Sequence, residues 1–171
     1  MLSYVLTVLG DDRPGLVHSL AGVISAHGAN WERSQMARLD GKFAGIVKVT
    51  VPEGSVDGLL AALRALHQEG SIDVRIEPAG AKPAADGPRF VLSMVGTDRP
   101  GLVHSVAAAL AEIGESIEEL DTATSDAPMS GGPLFEAKAT VALPPHLTIE
   151  AVRDRLEALA DHLMVDIDLS S

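Results

Sequence analysis

Cysteine is absent from this chain. That excludes disulfides, thiolate metal sites and a cysteine nucleophile, and it fits a reducing compartment. Aromatic residues are scarce too, at 3%, so any core must be built from Val, Leu, Ile and Ala. Positive charge is in short supply: 13 Lys and Arg stand against 24 Asp and Glu, a formal net charge of -11. A phosphate-binding surface needs clustered Lys and Arg. None is visible, so direct contact with nucleic acid is not expected. The imbalance is uneven, with 7 basic and 9 acidic residues over 1–80 but 6 and 15 over 81–171. Such a surplus reads as a solvated surface or as an acidic docking face for a basic partner. No apolar run reaches about 18 residues, and no basic stretch followed by an apolar one opens the chain. The expectation is a soluble, cytoplasmic protein with no membrane segment.

Hydrophobic residues make up 46% of the 171 positions, which argues against disorder and leaves room for one domain or two small ones. A repeat decides between them. The segment from Tyr4 to Ser19, YVLTVLGDDRPGLVHS, returns from Phe90 to Ser105 as FVLSMVGTDRPGLVHS, an offset of 86. The alignment runs without a gap through Gly28 and Gly114 to Glu32 and Glu118. Units this long imply duplicated domains; solenoid repeats are typically about 20–50 residues. The stretch Pro78–Pro88 is rich in Pro, Gly and Ala and has no apolar period, so it reads as a linker. The expected layout is a first domain over 1–78, a linker over 79–88 and a second domain over 89–171.

Each copy follows one pattern. Residues 3–9 form a short apolar strand, and Arg13-Pro14-Gly15 breaks it, with Pro14 suited to the first helical position. Leu16, Leu20, Val23, Ile24 and His27 then recur at helical spacing, and Gly28 is a natural left-handed stop. Residues 30–39 and 43–51 read as strands about Asp40-Gly41, a favoured type I′ turn. Ser55 suits the cap of a second helix bearing Leu59, Leu60, Leu63 and Leu66, which Gly70 ends; Ile72 to Ile76 alternates as a last strand. The second copy repeats this with Phe90–Val95, a helix from Pro100, strands from Ser116 and over Leu134–Leu143, a helix capped by Thr148, and Val165–Leu169. In place of Asp40-Gly41 it has the longer Ser125–Pro133, read as a plain surface loop or a lid. The order βαββαβ is the ferredoxin-like pattern, α+β, an antiparallel sheet with two helices on one face.

The segments Gly10–Leu16, GDDRPGL, and Gly96–Leu102, GTDRPGL, resemble the signature loop of ACT domains. The resemblance covers both repeats. The tandem arrangement, with its second hairpin running into Pro133-Leu134-Phe135, is similar to the glycine cleavage system transcriptional repressor group. It implies an amino-acid sensor with glycine or serine as candidate ligands, acting on a partner regulator protein and pairing as a homodimer. In such domains the ligand sits where the first loop of one meets the second strand of its neighbour. Carried over, the site comprises Asp12, Arg13, Pro14, Gly15 and Leu16 with Ser116, and Asp98, Arg99, Pro100, Gly101 and Leu102 with Asn30.

The loop chemistry suits a zwitterion. A helix N-terminus offers free N–H groups and the positive dipole end to a carboxylate, and Gly15 and Gly101 let a ligand approach the backbone. Asp12 and Asp98 can accept from an ammonium or can cap the helix. Asn30 reaches further than Ser116 and both donates and accepts, so the Asp98–Asn30 pairing is expected to be the tighter one. His18 and His104 point away from the apolar stripe, and a His followed directly by a Ser does not face it on a helix, so no Ser–His catalytic pair is built. His67, His146 and His162 share no metal-ligand spacing. No enzyme, cofactor or metal is therefore expected. A ligand-free assembly module, or less readily a small ferredoxin-like enzyme, is the competing reading.

Overall fold

The computed structural model describes residues 1–68, 72–80, 87–112, 114, 116–126, 132–143 and 147–170. The chain divides into two compact units, Met1–Lys82 and Pro83–Ser171. In the first unit β1 (Leu2–Asp11), α1 (Leu16–Ala26), β2 (Asn30–Leu39), β3 (Lys42–Val51), α2 (Val56–Gln68) and β4 (Asp73–Pro78) follow one another, with a short 3-10 turn, Glu53–Ser55, leading into α2. The second unit repeats the order as β5 (Arg89–Thr97), α3 (Leu102–Glu112), β6 (Ser116–Asp126), β7 (Pro133–Ala142), α4 (Ile149–Leu163) and β8 (Val165–Ser170). Each unit is one antiparallel four-stranded sheet, ordered β2-β3-β1-β4 and β6-β7-β5-β8. The chain is thus an α+β protein of two βαββαβ units.

Alternation along the strands makes each sheet two-faced. Leu6 and Val8 of β1 and Val47, Val49 and Val51 of β3 are buried under the stripes of α1 (Leu16, Leu20, Ile24) and α2 (Leu59, Leu63). Phe90, Leu92 and Met94 of β5 meet Leu102, Val106 and Leu110 of α3 and Val152 and Leu156 of α4 in the same way. The two cores share no residue. His27 is half-buried, and its Nδ1 lies 2.8 Å from the Val23 carbonyl.

The edge strands β2 and β6 each carry a bulge at an equivalent place, between Trp31 and Arg33 and between Ile117 and Glu119. The extra residue is a glutamate both times, and a cation from the sheet holds it. Lys48 lies 2.8 Å from Glu32, and Arg89 makes two bonds to Glu118 at 2.6 and 3.0 Å. The Lys48 hydrogen bond pulls the Glu32 carboxyl below its ordinary range, and the Glu118 carboxylate raises Arg89 further. The bulge lets Trp31 pack on the core while Arg33 turns to the uncovered face.

The hairpin between β2 and β3 turns at Asp40-Gly41 with φ of 46° and 76°, the double left-handed signature of a type I′ turn. Gly28 closes α1 at φ 66°. Thr148 caps α4, its Oγ1 accepting from the Ala151 N–H at 3.3 Å. Gly70 and the greater part of the expected linker and of the Ser125–Pro133 loop lie outside the described residues; Ser125 and Asp126 extend β6, and Pro133 opens β7.

Candidate functional site

The turn that joins the first strand to the first helix differs from the sequence expectation. Neither helix starts at its proline. α1 begins at Leu16 and α3 at Leu102, because Gly15 and Gly101 stand in between at φ 90° and 94°. Gly15 has ψ 0°, and Pro-Gly with the glycine at these angles is a type II turn. A left-handed residue ends any helix on its N-terminal side, so Pro14 and Pro100 belong to the turn. Gly15 and Gly101 then accept from the Ser19 and Ser105 N–H groups at 2.9 Å each, the first helical bonds. A Cβ on either glycine meets nothing within 4 Å, so both face open space, and the backbone angle is what requires glycine.

Capping by Asp12 is not what occurs. Gly15 is the N-cap of α1, and no side chain caps the helix. Asp12 instead faces the hairpin. Its N–H donates to the Gly41 carbonyl at 2.8 Å, and its carboxylate pairs with Arg38 at 3.3 Å. The Asp98 N–H makes the same contact to the Pro133 carbonyl at 2.8 Å. Thr124 occupies the place of Arg38: each stands on its edge strand opposite the matching phenylalanine, Phe43 or Phe135. Among the described residues the Asp98 carboxylate has no partner.

The arginines part company in the opposite sense. Arg99 donates to the Leu163 carbonyl at 2.5 Å, closing the C-terminal end of α4, where Lys and Arg side chains bond the last carbonyls. Arg13 has no hydrogen bond among the described residues; it adds to the charge that keeps Asp11 low, after the hydrogen bond and charge of Lys42. Leu16 and Leu102 are core residues, 5% and 3% exposed, so only their backbone can serve the loop.

Asn30 and Ser116 lie elsewhere. Asn30 pairs with Thr50, which pairs with Ser3, whereas the loop leaves β1 beyond Asp11. The eight steps from Ser3 to Asp11 span roughly 27 Å at about 3.4 Å each. Within one unit the loop and the start of the second strand are therefore at opposite ends of the sheet, and the same register separates Ser116 from Asp98. Sequence reasoning missed Arg38, the Leu163 carbonyl and the hairpin carbonyls, since all three become neighbours only through strand pairing and chain reversal. His18 and His104 are exposed. Among the described residues no group of three or more His, Asp or Glu could hold a metal ion, and no helix is long and apolar enough to cross a membrane.

Comparison with known proteins gives these features a family. The ACT domain model matches residues 3–77 and again 89–170. A crystal structure of an unknown protein from Galdieria sulphuraria superposes with a TM-score of 0.81 at 34% identity, over 99% of this chain and 97% of that one. The crystal structure of a candidate glycine cleavage system transcriptional repressor superposes at 0.75, covering 99% and 96%, and at 17% identity it shows the shared fold. A UPF0237 protein of Methanopyrus kandleri is 34% identical over 79 residues, 45% of this chain and 88% of its own length. With both repeats matched and the strand-loop-helix geometry intact in each, the chain belongs to the ACT domain family.

Proposed function

We infer that this chain is an amino-acid-sensing regulatory protein. In this reading a small amino acid, glycine first among the candidates, binds at the Arg-Pro-Gly loops, and its occupancy is relayed to a partner regulator protein without direct contact to DNA. The observation that carries the reading is the start of the first helix in each unit, α1 and α3: a left-handed glycine, Gly15 or Gly101, with open space beside it. A helix start in that state attracts a carboxylate through its N–H groups and dipole. The ammonium of the same ligand needs an acceptor, and Asp98 is the loop aspartate without a partner among the described residues, Asp12 being engaged by Arg38. Asp98 is accordingly the principal ammonium acceptor. Asn30 and Ser116, at the far ends of their own sheets, are assigned to loops of other ACT units, Asn30 to an Asp98 loop and Ser116 to an Asp12 loop. The fold shared with the candidate glycine cleavage repressor makes glycine the first ligand to test.

Isothermal titration of the full chain with glycine, serine and the remaining amino acids tests this. Saturable binding of one of them is expected, abolished by Asp98→Ala and weakened at least about tenfold by Asn30→Ala, since losing a hydrogen bond to a charged group is worth about 1.5–3 kcal/mol. Silence across the panel from folded protein overturns the sensor reading in favour of a ligand-free assembly module. Binding left unchanged by both substitutions retains the sensor and moves the site.

A further inference from the structure

The two loops come from one duplicated sequence, so each residue around one has a counterpart around the other, and the strand register fixes the match. Asp12 corresponds to Asp98, Arg13 to Arg99, Arg38 to Thr124 and Asp40 to Asp126. Asp11, paired with Lys42, corresponds to Thr97, paired with Leu134. Loop and hairpin end together, residues 10–16 and 38–43, hold three acidic and three basic residues in the first unit. The corresponding residues 96–102 and 124–135 hold two acidic and one basic. The second loop is therefore the one left with negative charge for an ammonium.

The exchange of Arg38 for Thr124 is the one that touches the loop aspartate. Arg38 stands opposite Phe43, and Phe43 stands opposite Gly10 and packs on the first core. Residues directly opposite on neighbouring strands share a face, so Arg38 rises on the helix side of the sheet, beside the loop that opens α1. Its Nη1 lies 3.3 Å from the Asp12 carboxylate. In the second unit Thr124 stands opposite the buried Phe135, which stands opposite Gly96. A short neutral side chain thus holds the same place. The loop arginine does not substitute for it, because Arg99 donates to the Leu163 carbonyl at 2.5 Å.

We propose that Arg38 is a built-in stand-in for the ammonium of an amino acid: it keeps the Asp12 loop closed to zwitterions, so that each chain holds one amino acid, at the Asp98 loop. The inference rests on the sensor reading above and adds to it the number of sites and the residue that sets it. A guanidinium and an ammonium are both cationic donors and compete for one carboxylate. Arg38 belongs to the same chain, so it competes at the high effective concentration of a tethered group. The ion pair is exposed, 71% at Arg38 and 31% at Asp12, and such a pair is weak by itself. Exclusion does not depend on the strength of that bond. When the bond opens, the guanidinium stays beside Asp12 and repels an incoming ammonium. Among the described residues neither obstacle is present at Asp98.

Exchanging the two residues tests it, by isothermal titration of the full chain with glycine and then the other amino acids. The wild-type chain should take up one equivalent. Arg38→Thr should add a second, with a dissociation constant within about tenfold of the first, since both loops then offer an unpaired aspartate. Thr124→Arg should weaken the wild-type site at least about tenfold, because it places a competing cation at Asp98. The double exchange R38T/T124R should bind one equivalent again, now abolished by Asp12→Ala; that recovery also shows the Thr124 variant to be folded. Two equivalents in the wild type, a single one in Arg38→Thr, unchanged binding in Thr124→Arg or no recovery in the double exchange each overturn the proposal and leave the sensor reading standing. Silence from every chain overturns both.

Discussion

Gly15 and Gly22 show how one residue type acts in opposite ways within a single loop-helix unit. At both, a Cβ meets nothing within 4 Å. Crowding thus plays no part, and only the backbone differs: Gly15 sits at φ 90°, Gly22 inside α1. Gly15→Ala should lower the unfolding free energy by about 1–2 kcal/mol, the usual penalty for an L-residue in the left-handed region. Gly22→Ala should raise it by about 0.5–1 kcal/mol, since the helix interior favours alanine. Urea titration followed by Trp31 fluorescence checks both, and equal effects of one sign would show that the turn does not hold its angle. The sequence announced Gly15 and Gly101 through the repeated Arg-Pro-Gly. It did not announce that the turn displaces the helix start past the proline. That follows from Gly15 and Gly101 both taking the left-handed angle, which Pro-Gly permits and a propensity scale for either residue alone does not reveal. The partner of Asp12 was hidden for a different reason. Arg38 lies 26 positions further on, and only the I′ turn of the β2–β3 hairpin brings it back.

At the level of elements, α1 and α4 start in contrasting ways. Thr148 accepts a bond from the Ala151 N–H, whereas α1 has no side-chain cap. Thr148→Ala should destabilise the second unit by about 1 kcal/mol, and Thr148→Asp should largely retain stability, because Asp caps as well as Thr or better. Thermal unfolding followed by far-ultraviolet circular dichroism distinguishes the two, and a null effect of the alanine would mean that the cap is not formed in solution. The cap was legible because Thr148 directly precedes an apolar stripe at helical spacing. The strands were legible for a similar reason: period-two burial survives in Leu6 and Val8 and in Phe90, Leu92 and Met94. The bulges were not. Glu32 and Glu118 interrupt the alternation by one residue, and whether such a residue bulges depends on the cross-strand cation that holds it, Lys48 in one unit and Arg89 in the other. A reading of β2 or β6 as an unbroken alternation assigns Arg33 and Glu119 to the core, and the register turns them out.

For the molecule as a whole, the two cores share no residue, so stability has two sources. Leu59 and Leu156 are matched probes, 0% and 1% exposed, one in each core. Each truncation to alanine should cost about 2–5 kcal/mol, the loss of transfer energy plus the cavity left behind. The chain contains a single tryptophan, and Trp31 packs against the first core, so its fluorescence reports that unit. Leu59→Ala should therefore move the fluorescence midpoint in urea to lower concentration. Leu156→Ala should leave that midpoint nearly in place and move only a phase seen by circular dichroism. The comparison belongs at high dilution, where association adds least to apparent stability. If Leu156→Ala shifts the fluorescence midpoint as far as Leu59→Ala does, the units unfold as one cooperative body, and a ligand bound at either loop then stabilises both. If the two probes separate as expected, a ligand that raises the fluorescence midpoint alone has bound through the first unit, and one that raises only the circular dichroism phase has bound through the second. The same pair of variants thus measures both how the fold is divided and which loop an amino acid occupies.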